Sequence, residues 1–202
     1  MSDAGNVSPL KPLSRRALLG RAATVASITI VPRHVLGGAG QTPPSEKLNI
    51  AGIGVGGQGG HDIDSVNSEN IIALCDVDDA YSANTMKRYP KAKKYRDFRQ
   101  MLDKERNIDA VVIGTPDHTH AVISMWAIKM GKHVYCEKPL TRTVYEARAL
   151  AEATRQAGVA TQMGNQGMAF EGNRLINEWI WDGALGQVRE VHAWSDRPTH
   201  NG

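Results

Sequence analysis

The sequence predicts an α/β fold built on a doubly wound parallel sheet, and three observations predict it. Short β-branched runs alternate with helical patterns from Leu48 onward, which is the signature of βαβ units. A glycine-rich turn, Gly52 to Gly60, separates the first run from a helix. An acidic residue, Asp76, stands at the end of the second run.

Taken in order, the strands are expected at 48–53 (LNIAGI), 71–75 (IIALC), 108–113 (IDAVVI), 133–136 (HVYC) and 159–163 (VATQM), with a weaker one near 92–95. Helical patterns occupy 78–89, 97–105, 117–130 and 143–156. The last of these sets Val144, Ala147, Ala151 and Thr154 on one face. Ala121 to Ile128 is apolar nearly all round, which predicts a buried helix. Farther on, 172–182 carries Leu175, Ile176, Trp179 and Ile180 at helical spacing, with Gly183 and Gly186 as stop signals. Residues 187–194 (QVREVHAW) then alternate like a half-exposed strand. That change of pattern predicts one sheet domain over 47–186 and the start of a second, α+β domain over 187–202. A substrate cleft needs walls from both, so this chain alone is expected to bind a nucleotide without turnover.

Residues 1–46 read as an address and a linker. Ser14-Arg15-Arg16-Ala17-Leu18-Leu19 resembles the twin-arginine export pattern ahead of a mildly apolar run, Ala22 to Val31. That run is half the roughly twenty residues a membrane span needs, so the expectation is export to the periplasm or beyond, with no anchoring. A basic tail is the alternative. Gly37 to Ser45 reads as a flexible linker. The charge distribution agrees with this division. Residues 1–47 hold six Lys or Arg against two Asp or Glu, so they carry +4 of the overall +3, and the other 155 residues carry −1. Without a basic surface on the folded part, a nucleic-acid partner is excluded. Cys75 and Cys136 end strands that the fold places on opposite sides of the first, so both are expected as buried free thiols.

The glycine run holds G-x-G-x-x-G in two registers, from Gly52 and from Gly54. The second register leaves a six-residue strand and sets Asp76 twenty-two positions downstream. In it Gly54 allows a tight turn, Gly56 lets backbone approach a pyrophosphate, and Gly59 lets helix and strand pack closely. Gly57 and Gln58 open the helix, whose N-terminal N–H groups and partial positive charge suit phosphates. This is the pattern of a Rossmann dinucleotide site. Asp76 would accept hydrogen bonds from ribose hydroxyls and repel a 2′-phosphate, favouring NAD over NADP, with no arginine directly following to welcome a phosphate. A solvated strand-end carboxylate is its alternative reading.

Two further turns carry chemistry. Thr115-Pro116-Asp117-His118-Thr119-His120 follows the fourth strand, at the sheet end where such folds build their sites. Thr115, Pro116, His118 and His120 are candidate cofactor contacts. Histidines at i and i+2 share no helix face and have no clustered thiolates or carboxylates, so no metal site is expected. Cys136-Glu137-Lys138-Pro139-Leu140 follows the fifth strand.

With the Thr-Pro-Asp-His-Thr-His turn and Gly131-Lys132-His133-Val134 leading into Glu-Lys-Pro, residues 48–197 resemble the Gfo/Idh/MocA oxidoreductase family. The resemblance implies a nicotinamide enzyme acting on a sugar, polyol or related alcohol, with Lys138 as the catalytic residue and a homo-oligomeric full-length form. It matches His120 to a position near the cofactor. An ammonium beside a bound hydroxyl can polarise it or share its proton as hydride leaves. Glu137 can orient Lys138. Thr161-Gln162-Met163-Gly164-Asn165-Gln166 is also similar to members of the family with export leaders; Gln162 and Asn165 are cofactor or substrate contacts on that reading and structural residues on the other. The family's second-domain aspartate and histidine have no counterpart here. Two other activities occur on this fold: NAD-dependent glycoside hydrolysis by transient oxidation, whose members usually depart from Glu-Lys-Pro at the lysine, and non-catalytic nucleotide sensing.

Overall fold

A computed structural model describes residues 42, 43 and 46–194, so the arginine pair and apolar run expected to form a leader lie outside the described residues. The regular elements fall in the compact unit that begins at Lys47. Six strands, β1 (Asn49–Ile53), β2 (Asn70–Cys75), β3 (Lys93–Tyr95), β4 (Ala110–Ile113), β5 (His133–Glu137) and β6 (Thr161–Gly164), form one sheet in the order β3-β2-β1-β4-β5-β6. All neighbouring pairs are parallel. This is the doubly wound Rossmann sheet. The direction of winding reverses between β1 and β4, and a crevice opens there at the carboxyl ends of the strands.

The helices are α1 (Gly57–Ser65), α2 (Ala83–Arg88), α3 (Phe98–Lys104), α4 (His120–Lys129), α5 (Val144–Ala157) and α6 (Glu171–Trp181). Side chains alternate across a strand, so the central strands β1, β2 and β4 feed two cores. Ala51, Ile53, Val111, Ile113, Val134 and Cys136 pack with Met101 and Leu102 of α3, Ile123 and Ile128 of α4, and Leu150 of α5. On the other face Ile50, Leu74 and Val112 meet Val55, Ile63 of α1 and Met86 of α2. Each fully buried branched side chain contributes about 1.5 to 3 kcal/mol, so these two apolar layers hold the sheet in place.

The structure departs from the sequence expectations at four places. The helix expected over 78–89 forms only at Ala83–Arg88, because the Asp78 carboxylate accepts from the Ala80 and Tyr81 N–H groups and offers that stretch a turn instead. The pattern over 117–130 opens with a 3₁₀ turn, Asp117–Thr119, before α4. Helix α4 is buried on one side only: Val122 and Trp126 face outward, and Trp126 rests edge-on against Phe98 at 6.0 Å. Finally, residues 187–194 form no strand. An alternating pattern makes a strand only where another strand supplies hydrogen bonds, and none pairs with this one among the described residues. The apolar face of α6, with Leu175, Ile176 and Trp179, is likewise exposed.

Cys75 and Cys136 are both buried and free. They sit on β2 and β5 with β1 and β4 between, about 14 Å of strand spacing, twice what a disulfide tolerates. Burial pushes the Cys75 thiol up to about 12 and that of Cys136 to about 11.

Candidate nucleotide site

The site is built where β1 and β4 end side by side. Ile53 pairs with Ile113, and the chain leaves both strands through glycine, at Gly54 and Gly114. Gly54 has φ +74°, and a Cβ there would meet the Thr115 nitrogen at 2.6 Å, so the turn demands glycine. A Cβ on Gly59 would stand 1.9 Å from the Gly54 carbonyl oxygen. Helix α1 therefore sits directly on the turn, and only glycine permits it. Gly52, the other possible start of the motif, lies inside β1. Gly56 is the N-cap of α1 and no side chain caps the helix. Its first N–H groups are thus left for another acceptor. Gly57 and Gln58 form its first turn, with the Gln58 side chain folded back onto Asp62 at 2.8 Å.

A cleft of about 620 Å³ runs from this loop along the ends of β1, β2 and β4. Gly54, Gly56, Asp76, Thr115, Pro116 and His118 all line it. Asp76 follows β2 directly. One carboxylate oxygen accepts from the Val55 and Gly56 N–H groups at 2.8 and 3.2 Å, and the other from Asp78 N–H at 2.9 Å. A carboxylate has about four acceptor positions, so Asp76 braces the glycine loop and keeps capacity for a hydroxyl. Thr119 Oγ sits 2.8 Å from Thr115 Oγ and donates to the Pro116 carbonyl at 2.7 Å, which holds the β4 turn closed.

Tyr81, Arg96 and Phe98 also line the cleft, and no motif in the sequence points to them. A Cβ on Gly56 would meet the Tyr81 ring at 2.0 Å, and one on Gly57 its hydroxyl at 2.0 Å. Tyr81 therefore lies over the glycine loop. Arg96, after β3, donates to the Val77 carbonyl at 2.6 Å and pairs with Asp79. Its only sequence signal was an arginine at the end of the weakest strand.

His120 is placed differently from the other candidates. It is buried, does not line the cleft, and sets Nδ1 2.7 Å from the Pro139 carbonyl oxygen and Nε2 2.7 Å from that of Thr115. The ring ties the β4 turn to the Glu-Lys-Pro turn. Glu137 is the buried last residue of β5, while Lys138 is exposed and joined to Pro139 by a cis peptide. Gln162 and Asn165 are exposed, on and just after β6, away from the cleft. Gln162 instead borders a second hollow of about 440 Å³, with Asp62, Tyr135 and Gln166. Asp62 had one available signal: it lies three residues after Gly59, on the helix face turned to the sheet. Among the described residues no group of three or more His, Cys, Asp or Glu could hold a metal ion, and no helix is long and apolar enough to cross a membrane.

The residues present fit the adenosine end of a dinucleotide. A glycine loop closes on an uncapped helix start, a carboxylate with spare acceptor capacity stands at the next strand end, and the cleft walls between Phe98 and Val122 are apolar.

Comparison with known proteins agrees with this geometry. Residues 48–165 match the family described as "Oxidoreductase family, NAD-binding Rossmann fold". Levoglucosan dehydrogenase of Pseudarthrobacter phenanthrenivorans is 29% identical over 115 residues, covering 57% of this chain and 29% of that protein. Inositol 2-dehydrogenase of Salmonella typhimurium is 27% identical over 150 residues, covering 72% of this chain and 44% of that protein. The chain thus spans less than half the length of these relatives. The crystal structure of an NAD binding oxidoreductase from Klebsiella pneumoniae superposes with a TM-score of 0.59 at 32% identity, over 69% of this chain and 40% of that one. With the Rossmann sheet, the glycine loop and a match over more than half its length, the chain belongs to the Gfo/Idh/MocA family of NAD-binding oxidoreductases.

Proposed function

We propose that this chain is the nucleotide-binding portion of an enzyme that moves a hydride between NAD and a sugar, polyol or related alcohol. The observation that carries the reading is Asp76. Its carboxylate is anchored to the glycine loop, lines the cleft and keeps acceptor capacity for the ribose hydroxyls. NAD is preferred to NADP because a 2′-phosphate would meet the charge of Asp76, with Asp78 and Asp79 nearby. Arg96 stands close enough to matter, but its guanidinium is engaged by Asp79 and the Val77 carbonyl. Bound NAD supplies the hydride acceptor.

Lys138 acts on the alcohol: in its amine form it would take the hydroxyl proton as hydride leaves for NAD, and the ammonium so formed would donate to the new carbonyl oxygen. Its exposure at the end of β5 leaves it free to face a substrate. The substrate class is supported by the named activities of the relatives, on levoglucosan and inositol. The intact Glu137-Lys138-Pro139 motif favours net oxidation over transient oxidation in glycoside hydrolysis. Export through the twin-arginine pattern at Arg15 and Arg16, and homo-oligomerisation of the full-length form, belong to the same proposal.

Calorimetric titration of NAD and NADP tests it. Wild type should bind NAD more tightly than NADP. Asp76→Ala should weaken NAD by about 1 to 3 kcal/mol, as loss of a hydrogen bond to a charged acceptor does, and narrow the preference. An unchanged NAD to NADP ratio would overturn the assignment.

A further inference from the structure

Behind the Glu-Lys-Pro turn, on the sheet face covered by α1, two carboxyl groups meet in the interior. Asp62 comes from α1 and is 7% exposed; Glu137 comes from β5 and is 6% exposed. A single nitrogen, Gln166 Nε2, lies within hydrogen-bond distance of an oxygen of each, which brings the two carboxyl groups side by side. One side chain bridges them: the Gln166 amide donates to Asp62 Oδ1 at 3.2 Å and to Glu137 Oε1. Gln58 adds a second donor to Asp62 Oδ1, while Asp62 Oδ2 is buried with no partner. Glycine makes the arrangement possible on the far side, since a Cβ on Gly164 would stand 2.4 Å from Glu137 Oε1.

The groups facing this pair supply no positive charge. Gln58 comes from α1, Gln166 from the 3₁₀ turn after β6, and Gly164 from β6. From β5 comes the Tyr135 phenol, pushed up first by burial and therefore neutral, while the Cys136 thiol points to the opposite face of the sheet. None of the ion pairs in the structure involves Asp62 or Glu137 among the described residues. Two adjacent buried carboxylates without a counter-ion cannot both stay ionised, because their repulsion in a weakly polarisable interior forces a proton onto one of them.

We propose that Asp62 and Glu137 share a single proton, and that this acid pair, clamped by Gln166, is a positioning device that locks the Glu-Lys-Pro strand end to the helix of the glycine loop. Burial first, and Glu137 in addition, hold the Asp62 carboxyl above the usual carboxylate range. Oδ2 of Asp62, otherwise orphaned, is then the natural carrier of the proton. Mechanically, α1 begins at the phosphate loop and β5 ends one residue before Lys138, so the pair sets the distance between the two ends of the site. The sharing itself stands without any assumption about catalysis; only its consequence for the nucleotide rests on the proposed function.

The test uses the 202-residue chain with Asp62→Asn, in which an amide replaces the shared proton. A folded-state acid with a raised value is stabilising while protonated, and that contribution is lost as pH rises through the folded value. Carboxylates held low elsewhere, such as Asp97, Glu105 and Glu152, gain stability with rising pH in both proteins, so the difference isolates Asp62: the midpoint of wild type relative to Asp62→Asn should fall as pH is raised above the ordinary aspartate value of about 4. Parallel profiles would overturn the proposal. So would an Asp62→Asn chain that fails to fold, because it would mean the ionised carboxylate is required. Carbon-13 titration of the wild-type carboxyl signals gives a second readout: one aspartate or glutamate should remain protonated at neutral pH, and the absence of any such signal would also overturn it. For the positioning role, NAD affinity should weaken with rising pH in wild type and not in Asp62→Asn; the same pH dependence in both would remove that role. If wild type binds no NAD at any pH, the proposed function fails, and the unfolding profiles still decide the acid pair.

Discussion

At the scale of single residues, the side chains that organise the site do so mostly by gripping backbone. Asp76 was legible as an acid at a strand end, with a ribose as its expected partner. Its hold on the Val55 and Gly56 N–H groups was not, because that contact joins residues twenty or more positions apart through a turn whose path only the fold defines. His120 shows the same limit. The family resemblance matched it to a position near the cofactor, and the structure adds that it is buried between two carbonyl oxygens, each 2.7 Å away. His120→Phe keeps an aromatic ring but leaves both carbonyls unpaired, so chemical denaturation should show a loss of about 1 to 3 kcal/mol or more; an unchanged midpoint would show that the clamp is dispensable. The thiols give a pH-dependent case. Burial raises the Cys75 thiol to about 12 and Cys136 to about 11, so neither forms thiolate as pH climbs toward about 9, where an ordinary cysteine already has. Alkylation at that pH should label neither cysteine in the folded chain and both after denaturation. Rapid labelling of the native protein would contradict their burial.

At the scale of elements, local chemistry predicted best where an element closes its own hydrogen bonds. Helix α5 is such a case. Thr143 caps it by accepting from Glu146 N–H, and Glu146 returns the bond to the Thr143 N–H at 3.0 Å. Gly158, in the left-handed region at φ +65°, ends it. Thr143→Ala should cost about 1 kcal/mol, the usual value of such a cap, measurable as a lower unfolding midpoint with the fold retained. Helix α2 and residues 187–194 are the opposite case. Asp78 diverts the backbone that periodicity assigned to a helix. The alternating run near the end has the right side chains for a strand and no neighbour to pair with, and a strand's hydrogen bonds are never its own.

At the scale of the whole molecule, one sheet carries the loop, Asp76 and the Glu-Lys-Pro turn. Under the proposed function these parts hold the nucleotide, whereas hydride transfer needs the alcohol carbon held about 3 to 3.5 Å from the nicotinamide. No described element walls in Lys138 to do so. The 202-residue chain should bind NAD in calorimetry and yield no NADH with a polyol panel; robust NADH formation would show that the cleft is complete without further walls. The strand sequence, the G-x-G-x-x-G register from Gly54 and the strand-end position of Asp76 were all determined by the sequence, because period, spacing and glycine content act within a few residues. The tertiary structure alone decided that Tyr81 lies over the glycine loop, that Arg96 enters the cleft from β3, that His120 faces inward, and that Asp62 meets Glu137 under Gln166. Each of those contacts joins elements brought together by the order of strands in the sheet, and a side chain's partner across such a distance depends on packing that no local pattern records.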